Sequence, residues 1–203
     1  MDQADILEGY ALHAQELIPQ FEKLATPQVL APVMELLPVR PGRVLDVGAG
    51  TGRDAAWLAD RGHRVTAVEP VRELREAGAA LHPSANISWM DDRLPALEGV
   101  RAIGETYDTI LCIGVWQHVQ PSRHQAAVAA LAVLAAPRGR LILSLRHGPG
   151  SPHRRCYPVS PGDIISAAEA AGLGLRKRCS TPSIQQRNRD AGVTWTWLCL
   201  ERR

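Results

Sequence analysis

Asp46 stands two residues ahead of the turn Gly48-Ala49-Gly50-Thr51-Gly52, and Glu69 closes the next apolar run. These residue types suit the binding of a charged small ligand. Glycines let the main chain approach a bound group with no side chain in between. One carboxylate can face a cation, and another can accept both hydroxyls of a diol. The spacing narrows the choice. A dinucleotide fingerprint needs its third glycine three residues after the second; here that position is Arg53, and the third glycine is Gly52. Asp46 would also repel a pyrophosphate, whereas it would attract an ammonium or a sulfonium.

The surrounding elements are those needed to position such a turn. Residues 43–47 read as a buried strand, 53–61 as a helix ended by Gly62, and 64–68 as a second strand. That is a nucleoside-binding half of a doubly wound α/β sheet. The alternation continues with a helix over 71–81, strands over 86–90 and 107–114, a helix over 122–135 and a strand over 140–145. A Pro/Gly/basic loop over 146–161 follows, then a helix over 162–171 and β-rich segments over 173–180 and 193–200. Upstream, residues 4–25 have helical periodicity, with Pro19 expected to kink or split them. A second helix is expected from Pro27 to Leu37.

At these residues the chain resembles the class I S-adenosylmethionine-dependent methyltransferases, in particular short single-domain bacterial enzymes acting on small molecules. The resemblance implies a Rossmann-like sheet of seven strands in the order 3-2-1-4-5-7-6, the last antiparallel, with helices on both faces. It also implies S-adenosyl-L-methionine as cofactor. On that reading Asp46 faces the methionine ammonium, and Gly48, Ala49, Gly50 and Gly52 offer N–H groups to its carboxylate, with Arg53 and Asp54 alongside. Glu69, with Pro70, takes the ribose hydroxyls. Asp91 or Asp92 takes the adenine amino group with Arg93 beside it, and Gly114 and Val115 flank the reactive methyl. Tyr10 and His13 lie one helical turn apart on a segment that covers the cofactor in similar enzymes. Tyr10 either approaches the sulfonium or simply packs.

Methyl transfer is an in-line displacement, so the acceptor should meet the ends of strands four and five. Trp116 is a candidate pocket wall or cation–π surface. His118 and His147 are candidate general bases, each with a structural alternative. Arg146 and His147 suggest recognition of an acidic or polar group, and Arg154, Arg155 and Tyr157 sit on a loop able to order over the site. Trp195 and Trp197 share one strand face and read as packing. No Asn/Asp-Pro-Pro-Tyr segment follows strand four, which argues against methylation of adenine, cytosine or glutamine amino groups.

Composition limits the other classes. The chain has 203 residues, 45% hydrophobic and 22% charged, with net charge +2, which argues against nucleic acid as partner and leaves a small-molecule acceptor. Its four cysteines show no metal-ligand spacing, so no metal site is expected. The N-terminus lacks the pattern of a signal peptide, and the longest apolar run, 126–136, is too short to span a bilayer. The expectation is a cytoplasmic monomer or homodimer, with a helical cap over 1–40 and a single methyltransferase unit over 41–203. The alternatives are a nucleic-acid or protein methyltransferase, a metalloid or thiol methyltransferase using Cys156, and a non-catalytic cofactor-binding protein.

Overall fold

A computed structural model describes residues 3–150 and 154–203; residues 151–153 of the expected basic loop lie outside the described residues. The N-terminal segment forms α1 (Gln3–Leu12) and α2 (Ala14–Glu22). The break falls at His13, and Pro19 sits inside α2, contrary to the expected kink. The carbonyl that Pro19 leaves without a donor belongs to exposed Gln15, where water can satisfy it. The second expected helix is shorter and tighter: α3 (Thr26–Val29) gives way to a 3₁₀ helix over Ala31–Leu36 that has a proline in its first turn.

The alternating region then runs β1 (Arg43–Val47), α4 (Arg53–Ala59), β2 (Arg64–Val68), α5 (Arg72–Leu81), β3 (Ile87–Met90), α6 (Glu98–Ala102) and β4 (Tyr107–Cys112). Two 3₁₀ turns, Trp116–His118 and Pro121–Arg123, precede α7 (His124–Leu134), and β5 (Ala135–His147) leaves α7 directly. After the loop come α8 (Pro161–Ala170), β6 (Leu173–Pro182), α9 (Gln186–Asp190) and β7 (Thr194–Arg202). The sheet order is β3-β2-β1-β4-β5-β7-β6, as the resemblance implies. The pairs from β3 to β5 are parallel, and β7 runs antiparallel to both β5 and β6.

Strand alternation sends side chains to two cores. Leu45, Val47, Leu141, Leu143 and Leu145 pack with α7 and α8 on one face. Val44, Leu111 and Ile142 pack with α4 and with Leu30, Val33 and Leu37 on the other. Covering both faces leaves the carboxyl ends of the parallel strands as the place where polar side chains can gather. No helix among the described residues is long and apolar enough to cross a membrane.

The glycine turn is held from beneath by Trp89 of β3. A methyl group at Gly78 on α5 would fall 2.4 Å from the Trp89 ring and 2.7 Å from the Thr51 carbonyl, and one at Gly52 would fall 2.5 Å from the same ring. The indole fills the space that these two glycines leave open. Gly78→Ala should therefore destabilise the fold by about 1–3 kcal/mol, read as a lower urea midpoint with unchanged slope. An unchanged midpoint would mean that the indole moves aside freely.

Candidate functional site

Asp46, the second-last residue of β1, has 4% of its surface exposed, and its Oδ2 has no hydrogen-bond partner among the described residues. Burial pushes its pKa up to about 8; Asp54 and Glu69 push in the same direction and Arg53 opposes them. Glu69, at the end of β2, is 5% exposed. Its Oε2 accepts from the Gly50 N–H and its Oε1 from the Val71 N–H, each at 2.8 Å. Burial outweighs both bonds and raises Glu69 to about 7. Two buried acids thus lie close enough to raise each other's cost of ionisation, with Arg53 acting on one and Arg75 on the other.

The glycine turn contributes shape more than donors. The N–H groups of Gly48 and Ala49 donate to the Val68 carbonyl, that of Gly50 to Glu69 and that of Gly52 to the Ala49 carbonyl. The expectation that these amides await a ligand carboxylate is corrected: the turn closes on its own hydrogen bonds. Gly48 has φ +72°, and a Cβ there would lie 2.2 Å from the Val115 methyl, so the turns after β1 and β4 touch. Arg53 forks onto Asp54 at 2.9 and 2.8 Å and reaches the Phe21 carbonyl at 3.2 Å. Asp54 also accepts from Thr26 Oγ1 at 2.7 Å. Arg53 and Asp54 therefore tie the N-terminal helices to the turn. Glu22 adds to this tie, accepting from Thr51 Oγ1 and lying 3.1 Å from His82 Nε2.

Beyond β2 and β3 lies a cleft of about 750 Å³, lined by Pro70, Asp91, Arg93, Leu94, His118 and Gln120 among others. Asp91 pairs with Arg75 at 3.2 Å, and Arg75 also donates to the Glu69 carbonyl at 2.6 Å. Asp92 also lines the cleft but spends its carboxylate on the N–H groups of Arg93 and Val100, at 2.7 and 3.0 Å. Asp91 is thus the acid with capacity left for a ligand.

His118 sits where the cleft meets the end of β4. Its Nδ1 lies 2.8 Å from the Arg155 carbonyl, which can only accept, so Nδ1 carries the proton. Nε2 then accepts from the Tyr10 hydroxyl at 2.9 Å, bringing α1 onto the site from 108 residues away. Burial, with Arg154 and Arg146 nearby, lowers His118 to about 4, and burial raises Tyr10 to about 12. Gln117, 4% exposed, donates through Nε2 to the Gly114 carbonyl and lies 3.3 Å from His118 Nε2. The Tyr157 N–H donates to the Gln117 carbonyl at 2.7 Å, so residues 154–157 form a strap along the 3₁₀ turn. The strap carries Cys156, whose thiol burial keeps protonated and which lies 3.8 Å from Arg146 Nη1.

Two expected site residues lie elsewhere. Trp116 is fully buried against the ring of His124, 5.4 Å between centroids, so it is core and not a pocket wall. His147 projects to the face opposite Arg146, because β5 continues through both residues. There its Nε2 meets Thr196 Oγ1 at 2.9 Å and the charge of Arg178 lowers its pKa after burial, well apart from His118. Sequence reading missed Gln117, Glu22 and Ser144. The buried Ser144 hydroxyl accepts from the Gly114 N–H at 2.8 Å and fixes the turn after β4. Among the described residues no group of three or more His, Cys, Asp or Glu forms a metal site.

The orphaned Asp46 oxygen and Glu69 fit a ligand that carries an ammonium and a ribose diol, and Asp91 fits its base. A family model described as a methyltransferase domain matches residues 21–200. An uncharacterised methyltransferase of Mycobacterium tuberculosis is 34% identical over 107 residues, taking in 52% of this chain and 40% of that protein. The chain thus spans less than half the length of the first relatives it matches. A protein-L-isoaspartate O-methyltransferase of Methylorubrum populi is 33% identical over 159 residues, 74% of each chain. The crystal structure of Burkholderia thailandensis 1,6-didemethyltoxoflavin-N1-methyltransferase, with 1,6-didemethyltoxoflavin and S-adenosylhomocysteine bound, superposes with a TM-score of 0.73. It is 24% identical and covers 98% of this chain and 86% of its own.

Asp46 binds its proton more tightly folded (about 8) than unfolded (3.8). The stabilisation from the protonated form is complete below about pH 4 and is lost as pH rises through about 8. Asp46→Asn should therefore gain stability relative to wild type steadily between about pH 5 and pH 8, measured by urea unfolding without ligand. A constant difference across that range would mean that Asp46 ionises as in water.

Proposed function

We propose that this chain, which belongs to the methyltransferase-domain family, transfers the methyl group of S-adenosylmethionine to a small-molecule acceptor. When bound, the cofactor supplies an electrophilic methyl group on a positively charged sulfur. Asp46 receives the ammonium with its unpartnered Oδ2, and Glu69 receives the ribose hydroxyls with the lone pairs that Gly50 and Val71 leave open. Asp91, Pro70 and Arg93 line the adenine end of the cleft. Gly114 and Val115 border the reacting end, where Gly48 and Val115 pack together. Residues 1–40 act as a cap on the unit formed by 41–203.

One observation carries the small-molecule reading: two separate segments, α1 and the strap, converge on His118. Tyr10 from α1 and the Arg155 carbonyl from the strap both close onto His118, which narrows the approach to it from the cleft. The relative from Burkholderia thailandensis, with 1,6-didemethyltoxoflavin bound, supports the same reading. The relative from Methylorubrum populi, named for protein-L-isoaspartate, makes a protein acceptor the second reading. His118 is the group to take a proton from the acceptor. Its Nδ1–H is held by a carbonyl and its Nε2 lone pair points where Tyr10 now donates.

Two measurements test these roles. Binding of S-adenosylmethionine near pH 7 needs Asp46 and Glu69 ionised, so it should release protons and tighten as pH rises through about 7 to 8. Calorimetry in buffers of different ionisation enthalpy reads the release, which should shrink in Asp46→Asn. Binding with no proton release would remove Asp46 from the ammonium site. In a screen for S-adenosylhomocysteine formation with small acceptors, His118→Ala should lower kcat by about 10²–10⁴-fold at unchanged cofactor affinity. The wild-type rate should lack a histidine inflection near pH 6.5, since His118 titrates at about 4. A variant turning over at the wild-type rate would return His118 to a structural part.

A further inference from the structure

The side chains on the two sides of the proposed reacting end differ in kind, acids on one and arginines on the other. The donor side holds Asp46 and Glu69, both buried. On the other side, Arg146 at the end of β5 and Arg154 on the strap close in around Tyr10 and His118. The Arg154 guanidinium lies 5.0 Å from the Tyr10 ring centroid. Arg146 Nη1 reaches the Gly148 carbonyl at 3.2 Å and the Cys156 thiol at 3.8 Å. Both arginines are half-buried, and among the described residues neither forms an ion pair with a carboxylate. Both oppose the larger effect of burial on the Tyr10 hydroxyl, and both add to burial in disfavouring the His118 imidazolium. Two guanidiniums partly removed from water, with no carboxylate partner among the described residues, are suited to a ligand that brings negative charge.

A neutral group in the same place is also incomplete. Gln117 is 4% exposed and its Oε1 has no donor, although its Nε2 is anchored on the Gly114 carbonyl beside His118. A buried amide oxygen in this state has room in its hydrogen bonding for one N–H or O–H donor. The strap cannot easily slide to supply one, because the Gln117 carbonyl holds the Tyr157 N–H and His118 Nδ1 holds the Arg155 carbonyl.

We infer that the acceptor is a small carboxylic acid bearing a hydroxyl or amine, its carboxylate held by Arg146 and Arg154 and its O–H or N–H turned to Gln117 Oε1 and His118 Nε2. This rests on the methyltransferase reading above and names its substrate class. Arg146, Arg154 and Gln117 are then specificity-determining residues. A planar guanidinium matches a carboxylate with two parallel donors, and an amide or an ester of the same shape lacks the charge.

The test is calorimetric and does not require turnover. Benzoate and glycolate, each against its primary amide, are titrated into the full chain loaded with S-adenosylhomocysteine. The expected result is that each acid binds about tenfold or more tightly than its amide. Arg146→Gln and Arg154→Gln should each remove most of that preference, Arg154→Lys should keep part of it, and S-adenosylhomocysteine affinity should stay within about twofold. Equal binding of acid and amide by wild type, or an unchanged preference in both Gln variants, overturns the proposal. So does a matching loss of S-adenosylhomocysteine affinity, which would assign the arginines to the cofactor carboxylate. If wild type fails to bind S-adenosylhomocysteine, the donor reading falls separately, and the same comparison on the unliganded chain still decides the carboxylate site.

Discussion

The carboxyl ends of β1 and β2 are organised around two carboxylic acids that the sheet holds out of water. Asp46 and Glu69 follow apolar strands whose side chains fill both cores, so the topology that buries the strands also buries their acids. Neither receives a full positive partner from the chain. Arg53, the nearest cation to act on Asp46, is already committed to Asp54 and to the Phe21 carbonyl. The fold therefore stores an electrostatic mismatch at the ends of β1 and β2, and a cationic ligand removes it more cheaply than any rearrangement of the protein. The helices around the turn follow from the same constraint. Phe21, Glu22 and Thr26 close over it, which keeps the acids dry and their pKa values high.

The opposite end of the cleft is organised around one imidazole. The Arg155 carbonyl fixes its tautomer, and that choice decides what every neighbour can do. Nε2 must accept, Tyr10 must donate, and the Gln117 amide must turn its N–H groups inward and leave its oxygen unmatched. A single backbone carbonyl on a loop thereby sets the polarity of the acceptor side. On the proposed reading the two ends are complementary, with acids beneath the donor and arginines beside the acceptor. A positively charged donor and a negatively charged acceptor would meet between them, each already on the side that suits it.

Much of this was legible in the sequence where a residue's type and its place in a periodic run agree. β1 and β2 have the expected bounds, because short apolar runs framed by glycine and charge leave few alternatives. Asp46 and Glu69 were legible for the same reason, each being an acid at the end of such a run. The strand order came from family resemblance, since periodicity carries no information about which strands are neighbours. The misreadings have local causes. Ending strand five at residue 145 let Arg146 and His147 seem to reach one place, whereas an extended strand sends successive side chains to opposite faces. Trp116 was read as following a strand, but a 3₁₀ turn rotates its indole into the core. Gln117, Ser144 and Glu22 are single polar residues with no motif around them, and only the tertiary fold gives them partners.

Tyr10 connects the two halves of the site. Its hydroxyl occupies the His118 lone pair that an acceptor would need, so α1 and the acceptor compete for one hydrogen bond. The exchange is close to balanced. A neutral hydrogen bond contributes about 1 kcal/mol net, and an incoming O–H or N–H restores the bond that the tyrosine gives up. The rest of the N-terminal segment is held differently. Glu22 grips Thr51, Arg53 grips the Phe21 carbonyl, and Thr26 donates to Asp54, all beyond the break at His13. By contrast α1 lies against a small satellite cluster with Val71 and Leu74. Displacing the Tyr10 hydroxyl therefore leaves in place the hydrogen bonds that clasp the glycine turn. The residues that hold the donor acids dry are separate from the one that yields to the acceptor.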